Sequence, residues 1–190
     1  RSCRAARRYD HTLYGGAGDD ILLGGTGHND LSGDEGDDTY IFERGGIYNV
    51  EDYSGTNTYR FGAGFDKNNL KLRPGSLRLD FGNDGEVHII NFDQQNVFGS
   101  LGDDSFEFDD GGVLTIHELL ARGFDLNGTD ADDILIGTNT TDRIRGFAGN
   151  DQLQGGAGED TYIFNRGDGG AIIIDSSSDN NILHFGAGIG

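Results

Sequence analysis

The stretch that decides the fold is GGAGDDILLGGTGHNDLSGDEGDDTYI, residues 15–41. It parses in nines as GGAGDDILL (15–23), GGTGHNDLS (24–32) and GDEGDDTYI (33–41), and a second run starts at Gly128. That run reads GTDADDILI (128–136), GTNTTDRIR (137–145), GFAGNDQLQ (146–154) and GGAGEDTYI (155–163). The sixth place is acidic or amide throughout: Asp20, Asn29, Asp38, Asp133, Asp142, Asp151 and Asp160. The eighth is always apolar or aromatic: Leu22, Leu31, Tyr40, Leu135, Ile144, Leu153 and Tyr162. A fixed period is the mark of a solenoid, whose repeats bury a core only by stacking. Six residues of each unit are turn formers and three suit a short strand. Glycine at the first, second and fourth places admits positive φ, and the strand triplet sends its eighth residue to one side. Two units then make one full coil.

A longer repeat encloses the short one. YIFERGG (40–46) returns as YIFNRGD (162–168), and YRFGAGF (59–65) as LHFGAGI (183–189), so the chain reads as a cut from a tandem array. Between the runs the pattern changes. LKLRPGSLRLDF and EVHIINF alternate polar and apolar residues around Gly82-Asn83-Asp84-Gly85, and SFEF meets VLTI across Asp109-Asp110-Gly111-Gly112; both read as β-hairpins. Thr115 with Glu118 forms a capping box ahead of HELLAR, and Gly123 stands as its C-cap, so a short helix closes the segment. The expected fold is all-β, with two short parallel β-rolls flanking a small β-rich linker domain that carries one helix. The boundaries fall at 9–61 for the first roll and its capping segment, 62–126 for the linker domain, and 127–190 for the second roll and its capping segment. Residues 1–8, RSCRAARR, read as an appended or disordered piece.

Composition removes several classes of function. The 190 residues hold 34 glycines and one proline, with 33 Asp plus Glu against 14 Lys plus Arg, a net charge of −19. Four arginines sit in the first eight residues, and residues 11–190 carry 10 basic against 32 acidic side chains, a net −22. Nucleic-acid binding depends on Lys and Arg displacing counterions, so no nucleic-acid partner is expected. No apolar run approaches the length of a transmembrane segment, and glycine lacks the three-residue period of collagen. Cys3 is alone, so it forms no intramolecular disulfide, and no Cys/His cluster with zinc spacing exists. His11, His28, His88, His117 and His184 are scattered. Neither H-E-x-x-H nor G-x-S-x-G occurs, and the one proline, Pro74, follows Arg73 rather than an Asp, so no catalytic residue is assigned and the chain reads as no enzyme.

Stacking brings sixth-place carboxylates of turns n and n+2 together, where they repel unless a cation intervenes. Calcium takes six to eight oxygens from carbonyls and carboxylates in flexible geometry, whereas magnesium demands tighter octahedral packing and keeps its water.

These units resemble the repeats-in-toxin (RTX, haemolysin-type) nonapeptide, G-G-x-G-x-D-x-U-x, whose β-roll binds calcium. The middle, through LRLDFGNDGEVHIINF and FEFDDGGVLTIHELL, is similar to the haemolysin-related segment found between such blocks. The resemblance implies a ligand scheme. One turn gives the carbonyls of its second and fourth residues and its sixth-place Asp. The turn two units later gives the carbonyls of its first and third residues and its own Asp. One site then uses Gly16, Gly18 and Asp20 with Gly33, Glu35 and Asp38. A second uses Thr129, Ala131 and Asp133 with Gly146, Ala148 and Asp151. A third uses Thr138, Thr140 and Asp142 with Gly155, Ala157 and Asp160. Asp168 could supply a fourth with the turn 146–151, giving about three to four calcium ions. Asn29 replaces the expected Asp and His11 stands where an earlier one would be, so that edge of the first roll is expected weak or empty. The turns 128–133 and 137–142 lack the second glycine and are expected to be looser.

The resemblance further implies the calcium-binding repeat region of a large secreted bacterial protein: a toxin, adhesin or exoenzyme. Such a region folds on calcium outside the cell after passage through the type I secretion machinery. The scarcity of lysine (Lys67 and Lys71) and cysteine fits that expectation. The alternative is an adhesin-type binding module in which residues 62–126 recognise a host-surface ligand, a glycan or a protein. An exposed cluster of Phe92, Phe98, Phe106 and Phe108 would mark it; their burial would mark a spacer.

Overall fold

A computed structural model describes residues 10–99, 101–175 and 177–189, and the backbone of 2–4. The chain divides into two compact units, Arg1–Asp93 with Phe98–Leu119, and Gln94–Val97 with Leu120–Gly190.

The first unit holds β1 (Ser2–Arg4), β2 (His11–Ala17), β3 (Ile21–Leu23), β4 (His28–Glu35), β5 (Thr39–Phe42), β6 (Ile47–Glu51) and β7 (Thr58–Phe61). It continues with β8 (Lys71–Arg73), β9 (Leu77–Asp80), β10 (Glu86–Ile89), β11 (Ser105–Phe108), β12 (Val113–Thr115) and α1 (Ile116–Leu120). From β1 to β7 successive strands alternate between two sheets. One runs β1-β3-β5-β7-β11-β12 and the other β2-β4-β6-β10-β9-β8. The expected two-unit coil is the register of β2 on β4 (His11 opposite Asn29) and of β3 on β5 (Ile21 opposite Thr39). It lengthens by one residue where β4 meets β6 (Asn29 opposite Tyr48) and β5 meets β7 (Tyr40 opposite Tyr59).

Inward side chains stack in columns because parallel strands in register place like positions over one another. Tyr40, Tyr59 and Phe106 form one aromatic column, with centroids 5.5 and 4.9 Å apart, and Phe42, Phe61 and Phe108 another at 5.1 and 4.9 Å. Such pairs add roughly 0.5–1.5 kcal/mol each beyond area burial. Leu31, Val50 and Ile89 are buried on the opposite sheet.

The separate linker domain expected at 62–126 is not what the contacts show. Residues 62–93 and 98–119 belong to the same unit as the first roll. β10 pairs in parallel with β6 and β11 with β7, so the segment supplies a further rung to both sheets. Without it Tyr48, Val50, Tyr59 and Phe61 would line bare, apolar sheet edges. That rung opens on GSLGDDSFE (99–107), a degenerate nonapeptide with Asp104 at the sixth place and Phe106 at the eighth. Insertion of β8 and β9 ahead of it broke the phase and hid it. Both expected hairpins are present, β9 with β10 and β11 with β12, but LKLRPGSLRLDF is itself split at Pro74-Gly75-Ser76 into antiparallel β8 and β9. The capping box closes reciprocally: Thr115 N–H donates to Glu118 Oε2 at 2.8 Å and Glu118 N–H to Thr115 Oγ1 at 3.2 Å. Gly123 holds φ +72°.

Two further expectations change. Ser2–Arg4 is a strand paired with β3, Ser2 opposite Ile21, so these three residues are ordered rather than disordered; residues 1 and 5–8 lie outside the described residues. Phe92, Phe106 and Phe108 are buried, and the exposed Phe98 stacks on His117 at 5.4 Å, so no four-ring surface cluster forms.

The second unit holds β13 (Phe124–Asn127), β14 (Ile134–Ile136), β15 (Asp142–Arg145), β16 (Asn150–Gln154), β17 (Thr161–Phe164), β18 (Gly170–Ile173) and β19 (Ile182–Phe185). They form two parallel arrays, β13-β15-β17-β19 and β14-β16-β18. The two-unit register holds for β13/β15, β14/β16 and β15/β17, where Phe124 faces Asp142, Ile134 faces Gln152 and Ile144 faces Tyr162. It then lengthens, with Asp151 opposite Ala171 and Tyr162 opposite Leu183. Leu126, Ile144, Leu153 and Tyr162 are buried between the arrays.

Candidate metal centre

The stacked turns carry the chemistry. In the turns 15–20, 33–38, 146–151 and 155–160 the second and fourth places take positive φ, as at Gly16 (+90°), Gly18 (+94°), Gly156 (+101°) and Gly158 (+113°), and Asp34 (+72°) and Phe147 (+70°) adopt it without being glycine; Thr129, Ala131, Thr138 and Thr140 do not. The first-place glycines are needed for another reason. Gly33, Gly146 and Gly155 do not have positive φ; a Cβ on them would overlap the Oδ2 atoms of Asp38, Asp151 and Asp160 respectively. Each sixth-place carboxylate therefore folds back over the first residue of its own turn.

Between turns, the N–H of one sixth-place residue donates to the sixth-place carboxylate of the next coil. Asp20 donates to Asp38 Oδ1 at 2.7 Å, Asp133 to Asp151 Oδ1 at 3.1 Å, and Asp142 to Asp160 Oδ1 at 2.9 Å. The second oxygens of Asp38 and Asp160 are buried and accept no hydrogen bond. The gap between turns also receives carbonyl oxygens from both sides. Those of Gly33 and Gly146 lie 2.9 and 2.5 Å from where a Cβ on Gly15 and Gly128 would stand, and that of Gly155 lies against Gly137. From the other side the carbonyls of Gly18, Ala131 and Thr140 lie 2.9, 2.5 and 2.6 Å from the same point on Gly36, Gly149 and Gly158, and that of Thr138 lies against Gly156. Gly16 faces Asp34 in the β2/β4 register, while Ala148 and Ala157 sit inside their turns. The Glu35 carbonyl accepts the Gly18 N–H at 2.6 Å, so one of its lone pairs is engaged.

Buried carboxylates without a counter-charge hold their protons. Burial, reinforced by the Asp160 charge, pushes Asp142 up to about 7, against hydrogen bonds from Thr138 that pull it down. Burial likewise raises Asp160 to about 6, and raises Asp38, which also feels Asp52 and Asp20. Paired carboxylates facing turn carbonyls are hard oxygen donors of the kind calcium selects. Among the described residues no three His, Cys, Asp or Glu side chains gather as a cage, so an ion here takes most of its ligands from the backbone.

The turns differ in how far they suit an ion. In the two that carry threonine at the second place, it closes on the carboxylate: Thr129 donates N–H (2.6 Å) and Oγ1–H (2.9 Å) to Asp133 Oδ2, and Thr138 N–H (2.7 Å) reaches Asp142 Oδ2. These turns are tied, not loose. Asp168 does not join the turn 146–151. Its carboxylate is gripped by Arg145 at 2.8 and 3.1 Å and by Asn165 N–H at 2.7 Å, and the residue in register with Asp151 is Ala171. On the Asn29 edge, hydrogens stand where an ion would. Asn29 Nδ2 donates to the carbonyls of Gly25 (3.3 Å) and Gly27 (3.1 Å), and the Tyr48 hydroxyl adds a bond to Gly25 O at 2.5 Å. Asp151→Ala is therefore expected to remove one calcium ion and Asn29→Ala none, read as stoichiometry by calorimetry; equal losses would show that turn carbonyls alone set occupancy.

A pH dependence follows for the calcium-free fold. Asp142 and Asp160 stay protonated in the fold up to about 7 and 6, but in the unfolded chain only to about 4. Their contribution to stability is full below about pH 4 and is lost as pH rises through their folded values. Calcium-free protein should show more β signal at pH 5 than at pH 8 by circular dichroism, and calcium affinity should rise over the same interval. An opposite slope would contradict this electrostatic account.

A parallel β-roll whose stacked turns offer carboxylates and carbonyls to a hard cation defines a calcium-binding solenoid. The family model of the RTX calcium-binding nonapeptide repeat, in four copies, matches residues 12–45 and 127–162. The chain matches no curated protein. The closing rungs, described below, were missed in the sequence because Asp52 and Asp175 stand outside the nine-residue phase.

Proposed function

We propose that this chain is the calcium-folded repeat region of a large secreted bacterial protein, exported through a type I system and compacted by calcium outside the cell. The observation that carries the reading is the pair of buried, unbonded carboxylate oxygens, Asp38 Oδ2 and Asp160 Oδ2, within stacked turns that are also lined by carbonyls. The proposed ions lie between Asp20 and Asp38, between Asp133 and Asp151, and between Asp142 and Asp160. Among the described residues no helix is long and apolar enough to cross a membrane. The RTX repeat is a structural motif rather than a catalytic one, so the role assigned is scaffolding for a toxin, adhesin or exoenzyme. Burial of Phe92, Phe106 and Phe108 favours a spacer over a ligand-binding face for residues 62–119. Calorimetric titration tests the reading: saturable uptake of about three calcium ions is expected, with magnesium giving no comparable heat. No calcium uptake would refute it.

A further inference from the structure

Each run of nonapeptides ends on the same four residues, Asp-Thr-Tyr-Ile, at 38–41 and 160–163. In both, the eighth-place tyrosine sends its hydroxyl back to the first-place glycine of its own unit; Gly155 N–H donates to the Tyr162 hydroxyl at 2.9 Å. In both, that hydroxyl donates onward to an aspartate of the next turn, Tyr40 to Asp52 Oδ2 at 2.5 Å and Tyr162 to Asp175 Oδ2 at 2.8 Å. Asp52 and Asp175 occupy the first place of that turn, where the regular units have glycine. An asparagine follows, five residues after Asp52 and six after Asp175. Asn57 Oδ1 accepts the Asp38 N–H at 2.9 Å and Asn181 Oδ1 the Asp160 N–H at 2.8 Å, taking the position that the next Asp holds elsewhere in the column.

The remaining valences of the aspartates are filled from within the turn. Asp52 Oδ1 accepts Ser54 N–H at 3.1 Å. Asp175 is more fully served: Oδ1 takes Ser177 N–H (2.9 Å) and Oγ–H (2.7 Å), and Oδ2 takes Asn181 Nδ2–H (2.8 Å) beside the tyrosine. A carboxylate with four donors has its charge met by hydrogen bonds and has no need of a cation. The amide of Asn181, being neutral, adds no second charge to attract one.

Resting on the calcium reading above, we propose that Tyr162–Asp175–Asn181 is a hydrogen-bonded stop that takes the place of an ion between the turn 155–160 and the turn that follows it. It limits how many ions the second roll accepts. The same three residue types recur in the same order as Tyr40–Asp52–Asn57, but there the column goes on, with Asn57 N–H donating to Asp104 Oδ1 at 2.7 Å.

The test is calcium stoichiometry of the full chain by native mass spectrometry, for the parent, for Asp175→Asn, and for the double variant Asp175→Gly with Asn181→Asp. Asp175→Asn is expected to keep the parent's ion count, because the side chain stands in for an ion rather than binding one. The double variant restores glycine at the head of the turn and an acid opposite the Asp160 N–H, and is expected to gain one ion. Loss of an ion in Asp175→Asn would make Asp175 a ligand and overturn the stop, as would an unchanged count in a double variant that folds in calcium. Should the double variant fail to fold, the count in Asp175→Asn decides alone. A parent that takes up no calcium would instead remove the reading on which the stop rests.

Discussion

Removing calcium from the folded chain is expected to convert its far-UV circular dichroism from β to mostly coil, with recovery on adding calcium and not magnesium. Asp20, Asp38, Asp142, Asp151 and Asp160 are all buried along the stacked turns, in a segment of net charge −22. If each site sees calcium at ten times its dissociation constant, linkage supplies about 1.4 kcal/mol per site and about 4 for three. That approaches the whole stability of a marginal domain, about 5 kcal/mol. Without the ion the same carboxylates must repel one another or take up protons, and both oppose the native charge state near neutral pH. Where calcium is scarce, the chain is expected to stay unfolded. Full β content in a calcium-free sample at pH 8 would show that the aromatic columns hold the roll unaided.

Gly33→Ala is expected to destabilise the first roll strongly. Gly33 does not have positive φ, so alanine costs it nothing in backbone conformation; the cost is contact. The new Cβ would overlap Asp38 Oδ2 and the Tyr40 hydroxyl and lie 2.6 Å from Asp52 Oδ2, all three on buried side chains. Overpacking of this kind costs about 3 kcal/mol, and here it also displaces a proposed ligand. Gly45→Ala is the control. Its φ is +82° but nothing lies within 4 Å of the added atom, so only the left-handed strain of roughly 1–2 kcal/mol applies. Denaturant unfolding of both variants in saturating calcium measures the difference. Equal losses would mean that the turn relaxes around Gly33.

Much of this could be read from residues 15–41 and 128–163 alone. The nine-residue phase dictates the coil, because a period that returns Leu22 over Tyr40 can bury an apolar column only by winding in parallel. The sixth-place acids, brought together by every second unit, ask for a cation. Local chemistry also placed the hairpin turns and the capping box of α1, since each depends on residues within a few positions.

Other features were decided by tertiary structure. The sequence suggested positive φ for all three glycines of a unit, whereas the first glycine is reserved for the carboxylate that returns from the sixth place. Asp168 looked like a ligand until Arg145, more than a full coil earlier in the chain, was found holding it. Residues 62–126 read as a domain apart because their own pattern is antiparallel, yet β10 and β11 cover the bare edges of β6 and β7. The closing aspartates were invisible for a related reason, since Asp52 and Asp175 meet Tyr40 and Tyr162 only through the winding of the roll. Sequence determined the period, the handful of turn conformations and the acidic column, all of them local and repeated. Which oxygens are left for an ion and which are already met by hydrogen bonds depended on neighbours in adjacent coils, which only the stacking of rungs brings within reach.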